Sequence, residues 1–268
     1  MFYHGYKDQR MAFSILTLFV IPLTLPVGGS WIESVDFPNT ILTGGSANPS
    51  STDWLEALEW IKLNTPKDAV IASWWDYGYW IQTMAERTTL ADNSTVNDTL
   101  IVNIAKMLLS TPDEGWKMLQ EMDADYVLIF VAGQRLDSNY EGEKLFALNA
   151  GGDESKKTWF MRIAEVPLEN FVQYDQLTAT DSFWNETLLG QLIPFSTITY
   201  YDERTQNQLD HWEPGYFPID VKQIKYDSDS DPLKLVYASP SFHNSESDFL
   251  TAVLVYEINK NYDSINNE

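Results

Sequence analysis

Asp125-Tyr126-Val127-Leu128-Ile129-Phe130-Val131 decides the fold. From Tyr126 to Val131 the run is apolar and dominated by β-branched and aromatic residues, which predicts a strand. Working back from it, helices are expected near 99–109 and 112–122, the second opened by Thr111-Pro112. Short strands are expected at 88–91 and 69–73. Asp53 is expected to cap a further helix, with Glu56 three residues later completing a capping-box-like pair. Trp54, Leu58 and Ile61 fall on one face of it, and Asn64-Thr65-Pro66 stops it. Helices alternating with short strands predict a mixed α/β (α+β) core, placed at 53–190. After residue 190, apolar runs at 195–201, 216–224, 233–238 and 249–258 are separated by Asp, Ser, Asn and Pro. They predict a β-rich peripheral module over 191–268 with a polar, frayed tail.

Composition narrows the function. The 268 residues carry 17 Lys and Arg against 39 Asp and Glu, a net charge of −22. Such a surface repels phosphates, which argues against nucleic acid as a partner. The absence of cysteine excludes disulfides, thiolate metal sites and a thiol nucleophile. With 44% hydrophobic residues the chain has the material for a core. The acidity fits a salty, extracytoplasmic setting, and it equally fits a compositional habit of the organism.

Residues 11–32 carry no charge and are rich in Ile, Leu, Val and Phe, enough for a membrane-spanning helix despite Pro22 and Pro26. Lys7 and Arg10 precede it and no basic residue occurs after it until Lys62, so residues 1–10 read as a cytoplasmic flank. A cleaved signal peptide ending near Gly28-Gly29-Ser30 is the competing reading. On both readings the chain beyond about residue 33 is expected outside the cytoplasm. Residues 33–52, rich in Gly, Ser, Asn, Thr and Pro, read as a linker.

Directly after the first predicted strand comes Ser73-Trp74-Trp75-Asp76-Tyr77-Gly78-Tyr79-Trp80. Indole N–H groups only donate, and a carboxylate accepts. Two indoles and Asp76 could surround a hydroxyl, with Gly78 permitting a tight turn. The residues alone equally allow an aromatic core cluster in which Asp76 caps the next helix.

The string Trp74-Trp75-Asp76-Tyr77-Gly78 resembles the signature of oligosaccharyltransferase catalytic subunits, archaeal and eukaryotic. Met84-Ala85-Glu86-Arg87-Thr88, Asp92-Asn93-Ser94-Thr95, Asp125-Tyr126-Val127-Leu128 and Trp159-Phe160-Met161-Arg162-Ile163 come after it in the family's order. The resemblance is close over about 53–165, and the segment 11–32 fits the family's last membrane helix. It implies a glycosyltransferase of protein N-glycosylation, which moves a dolichol-linked oligosaccharide onto Asn in Asn-x-Ser/Thr. It implies that Trp74, Trp75 and Asp76 bind the sequon hydroxyl, with Tyr77 and Gly78 in support. It also implies a membrane location, an acceptor protein or peptide as partner, and a divalent metal (Mn or Mg) bound by a membrane part absent from this chain. No catalytic residue and no metal ligand is therefore expected here.

The family's second motif is Asp-x-x-Lys with a Met or Ile after it. Asp153 with Lys156 has that spacing and puts Phe160 in the Met/Ile place. Glu154 with Lys157 would put Met161 there. The first assignment is preferred because Trp159 and Arg162 then align as well. Three sequons, at Asn93, Asn97 and Asn185, are candidate glycosylation sites. A reading of another class also stands: a membrane-anchored, non-enzymatic ectodomain that binds sugars through its aromatics or belongs to the cell surface.

Overall fold

The computed structural model describes residues 52–148, 151–243 and 248–262. The expected flank 1–10, membrane helix 11–32 and linker up to residue 51 lie outside the described residues. Among the described residues no helix is long and apolar enough to cross a membrane.

The chain runs α1 (Asp53–Asn64), β1 (Val70–Ala72), a 3-10 turn (Trp75–Tyr77), α2 (Gly78–Thr83), β2 (Thr88–Thr89), α3 (Asp98–Leu109) and α4 (Pro112–Glu121). The long β3 (Tyr126–Tyr140) and β4 (Glu143–Ala147) come next, then a 3-10 turn (Glu154–Lys156) that leads into α5 (Lys157–Ala164). After a 3-10 turn at Leu168–Asn170 come α6 (Asp181–Glu186), α7 (Leu188–Leu192), β5 (Phe195–Asp202), β6 (Asn207–Leu209), β7 (Phe217–Lys222), β8 (Leu233–Ala238), α8 (Pro240–His243) and β9 (Phe249–Ile258).

The strands form one mixed sheet, with β2-β1-β3-β4-β7-β5-β6 in order and β9 and β8 joining through β3. β1 runs parallel to β2 and β3, and the remaining pairs are antiparallel. The run that decides the fold lies inside this sheet, where Val127, Leu128, Ile129 and Val131 are each 1% exposed or less. A strand covered on both faces needs a continuous apolar run, not an alternating one. Thr111 and Glu114 form the capping box of α4, with Pro112 at its first turn.

Two expectations need correction. The strands after residue 190 are not a separate β module: β9 pairs with β3 from Tyr126↔Glu257 to Gln134↔Phe249, and β7 pairs with β4. Residues from Thr52 onward cluster as one compact unit. The apolar run 249–258 is buried because it completes the central sheet, which no local pattern could announce. Asp53 is also not the helix cap. Thr52 takes that place, and buried Asp53 instead accepts from the Ser241 N–H (2.8 Å) and the Thr251 hydroxyl (2.9 Å). A residue with the look of local punctuation thus fastens α1 to the C-terminal strand.

Two glycines permit backbone to lie on backbone where the motif is seated. A Cβ at Gly78 would fall 2.4 Å from the Ala91 carbonyl oxygen and from the Asp92 Cα. One at Gly152 would fall 2.6 Å from the Ala132 nitrogen. Gly78→Ala should therefore force the 91–92 segment off the motif and destabilise the fold by about 1–3 kcal/mol, read by denaturant unfolding. Unchanged stability would show that the segment yields without cost.

β7 carries a buried acid. Asp220 accepts from the Thr197 hydroxyl (2.7 Å) through Oδ1, while Oδ2 has no hydrogen-bond partner. Burial, reinforced by the charge of Glu154, pushes its pKa up to about 7. A folded-state value above the unfolded one means that this group's contribution to stability is complete below about pH 4 and is lost as pH rises through about 7. Asp220→Asn, neutral throughout, should melt higher than the parent at pH 8.5 and differ little from it at pH 5. Melting curves at the two pH values decide it, and a deficit equal at both would contradict the assignment.

Candidate functional site

The motif begins where β1 ends. Its first 3-10 turn, Trp75–Tyr77, passes directly into α2, so the chain changes direction around Asp76. Trp54 of α1 holds the turn from behind, with ring centroids 4.7 Å from Tyr77, 4.8 Å from Trp80 and 5.4 Å from Phe130. These tilted and edge-on geometries are the preferred ones for aromatic rings, and such pairs add to the area they bury.

From the other side comes the loop after β4. The Asp153 N–H donates to the Phe130 carbonyl (2.7 Å), and the Phe130 N–H donates to Asp153 Oδ2 (2.8 Å). Asp153 Oδ1 accepts from the Tyr77 hydroxyl at 2.7 Å. Lys156 Nζ then donates to Asp76 Oδ2 (2.7 Å) and to the Tyr77 oxygen (2.6 Å), and stands 3.5 Å from Asp153 Oδ1. The ammonium also lies 4.4 Å from the Tyr77 ring centroid, within cation–π range. The structure thus brings Trp74, Trp75, Asp76, Tyr77, Asp153 and Lys156 together although 76 residues separate the two halves.

Electrostatics leave one oxygen of Asp76 without a partner. Oδ2 is taken by Lys156, whereas Oδ1 is buried and has no hydrogen-bond partner. Burial raises the Asp76 pKa above the ordinary aspartate value, outweighing the lowering by Lys156. Tyr77 is raised well above a free phenol, first by burial and then by Asp153 and Asp76, and so stays a neutral hydroxyl. Such a set can accept one hydrogen bond at a fixed point, backed by a cation that is already paired.

Lys156 and Lys157 take different parts. Lys157 turns inward, 2% exposed, and pairs with Glu154 Oε1 at 2.6 Å. Phe160 is fully buried with its ring 4.6 Å from Trp74, edge-on, so it forms the apolar wall next to that indole. Met161 is buried on the same helix. Trp74 itself is only 5% exposed, which leaves no open indole face there for a sugar ring.

The sequon residues are built into turns. Asn97 Oδ1 caps α3 through the Leu100 N–H (3.2 Å). The hydroxyl of Thr187, in the sequon of Asn185, is buried, donating to the Phe183 carbonyl (2.7 Å) and accepting from the Gly190 N–H (3.0 Å). Asn93 bonds the motif itself: its Nδ2 donates to the Asp76 carbonyl (3.0 Å) and its Oδ1 accepts from the Tyr79 N–H (3.1 Å). Reading Asn93 only as a sequon misses this, although its place beside the motif in the order of segments is a usable signal. Among the described residues, no three His, Asp or Glu side chains gather to hold a metal ion.

The comparisons with known proteins fall on this region. A family model described as the STT3/PglB/AglB core domain matches residues 66–143. The dolichyl-diphosphooligosaccharide–protein glycosyltransferase subunit STT3 of Saccharomyces cerevisiae is 39% identical over 148 residues, covering 53% of this chain and 19% of the yeast protein. Its Schizosaccharomyces pombe counterpart is 34% identical over 213 residues, covering 71% of this chain and 27% of that protein. The chain thus spans about a fifth to a quarter of the length of these curated relatives. Among solved structures, the C-terminal globular domain of an oligosaccharyltransferase from Archaeoglobus fulgidus is similar at a TM-score of 0.42 and 19% identity, over 78% of this chain and 97% of that one. The matched residues include the whole Trp-Trp-Asp-Tyr-Gly turn, and this chain is a relative of the STT3-type catalytic subunits of oligosaccharyltransferases over the part that bears it.

Proposed function

We propose that this chain is the acceptor-recognising part of a membrane-bound glycosyltransferase, and that it selects Asn-x-Ser/Thr sequons for transfer of a dolichol-linked oligosaccharide to Asn. The observation that carries the reading is the Asp76 carboxylate. One oxygen is held by Lys156, and the other is buried and unpartnered, on a residue that directly follows two tryptophans whose rings lie 6.1 Å apart. A Ser or Thr hydroxyl placed there donates to Asp76 Oδ1, and the indole N–H groups of Trp74 and Trp75 donate to its oxygen. A residue without the hydroxyl leaves buried polar groups unpaired, so it is rejected far more strongly than one of merely different size.

Each other residue has a part in the same reading. Lys156 keeps Oδ2 occupied, so that the unpartnered Oδ1 alone is left to accept from the substrate. Asp153 and Tyr77 hold Lys156 in place, and Phe160 lines the wall beside Trp74. No side chain of this chain is assigned to the transfer step. The divalent metal and the lipid-linked donor belong to a membrane part outside it. Residues 1–10, 11–32 and 33–52 keep their reading as cytoplasmic flank, membrane helix and linker, with the rest on the extracytoplasmic side. Asn97 and Asn185 then stand on the side where glycosylation occurs. The sugar-binding alternative is not favoured, because the relatives that match this chain are glycosyltransferase subunits.

The test is transfer by the full-length protein to paired peptides with Thr or Ala two residues after Asn. Asp76→Ala should reduce kcat/KM for the Thr peptide about 10- to 100-fold, as expected for an unmade buried hydrogen bond, and leave the melting temperature unchanged. Retained selection against the Ala peptide would sink the reading. Protonation turns Asp76 from acceptor to donor, so KM for the Thr peptide should rise as pH falls through its raised pKa. The rise should begin at a higher pH than for an ordinary aspartate and be absent in Asp76→Asn.

A further inference from the structure

We propose that Asn93 is a positioning residue for the sequon-reading turn, acting through its side-chain amide and not as an anchor for sugar. The proposal rests on Asp76 being the group that reads the acceptor hydroxyl.

The geometry is that of a helix cap supplied from another segment. The first turn of a helix leaves backbone N–H groups without intrahelical partners, and a side-chain oxygen usually takes one. Tyr77, at the cap position of α2, makes no side-chain cap hydrogen bond. Asn93 supplies it, since its Oδ1 accepts from the N–H of Tyr79, the second residue of α2. The same amide donates from Nδ2 to the carbonyl of Asp76. One planar group therefore fixes the backbone at Asp76 and at the start of α2 at the same time. That sets the direction in which the Asp76 side chain leaves the turn.

The surrounding segment is shaped to deliver this amide. Ala91 and Asp92 lie against Gly78, where any Cβ would collide. Asp92 Oδ2 accepts from Gln82 Nε2 (3.1 Å), joining the segment to α2 a second time. Asp92 Oδ1 accepts from the Ser94 N–H (2.9 Å), and the Thr95 N–H returns to the Asp92 carbonyl (3.1 Å), which closes a tight turn. Thr95 completes it at φ 51°, a left-handed conformation that a β-branched residue adopts only under local constraint. Asn93 stands at the crest of this turn, facing the motif.

Asn93 also begins a sequon, so the test must separate its amide from any glycan. Thr95→Asn abolishes the sequon, keeps Asn93, and suits the left-handed backbone. Asn93→Ala removes both hydrogen bonds, and Asn93→Asp keeps the acceptor but not the donor. The assay is transfer by the full-length protein to an Asn-x-Thr peptide, with amide exchange at Tyr79 monitored by mass spectrometry. Asn93→Ala should raise KM at least tenfold with kcat within about twofold, and should speed exchange at Tyr79. Asn93→Asp should fall between, and Thr95→Asn should match the parent in both readouts. The proposal is overturned if Thr95→Asn reproduces the KM defect, because a glycan would then be the agent. It is equally overturned if Asn93→Ala leaves KM unchanged while Asp76→Ala raises it. If Asp76→Ala has no effect on the peptide, the underlying reading fails, whereas the Tyr79 exchange still reports the clamp.

Discussion

Everything at the site hangs on one buried carboxylate, Asp153. It is 2% exposed, and its two oxygens serve different parts of the molecule. One oxygen and its own backbone N–H grip both polar groups of Phe130 in the central strand, and the other takes the Tyr77 hydroxyl. Burying a carboxylate costs least when it is hydrogen-bonded and close to a cation, and for Asp153 Lys156 is that cation. The sheet, the Trp-Trp-Asp-Tyr-Gly turn and the lysine are therefore one polar unit. Gly152, immediately before, lets the loop come close enough to the strand for this to happen.

The cation in turn decides what Asp76 can do. A carboxylate with both oxygens free would draw water or a stray lysine. Here one oxygen is already satisfied, and burial raises the energy of leaving the other without a partner. The proposed preference for a hydroxyl rests on that asymmetry, with no need for a large pocket. Phe160 and Trp74 supply the apolar surroundings that make the unmet hydrogen bond costly.

Much of this is legible in the chain. The run Tyr126–Val131, the helices before it and the motif after the first strand can be read from local pattern, because their physics is local. Spacing admits Asp153 with Lys156 and Glu154 with Lys157 alike, and the structure gives the two lysines opposite fates, Lys156 toward Asp76 and Lys157 inward to Glu154. Long-range partners are what local pattern hides. Asp53 has the look of a cap and is a tether to Ser241 and Thr251. Asn93 has the look of a sequon and bonds the backbone of a turn 17 residues away. The strands after 190 have the look of their own module, since a sequence displays how apolar a strand is and not which strand it will lie beside.

The placement of β9 has a consequence for how the protein comes into being. It is the last described strand, yet it lies against β3 at the middle of the sheet, from Phe249 to Glu257. A ribosome releases residue 126 long before residue 257, so half-finished chains hold β3 with one long edge bare. Such pairings between distant segments close slowly, and exposed strand edges invite aggregation meanwhile. The Trp-Trp-Asp-Tyr-Gly turn, anchored through Phe130 on that same strand, reaches its final setting only after synthesis has passed residue 257.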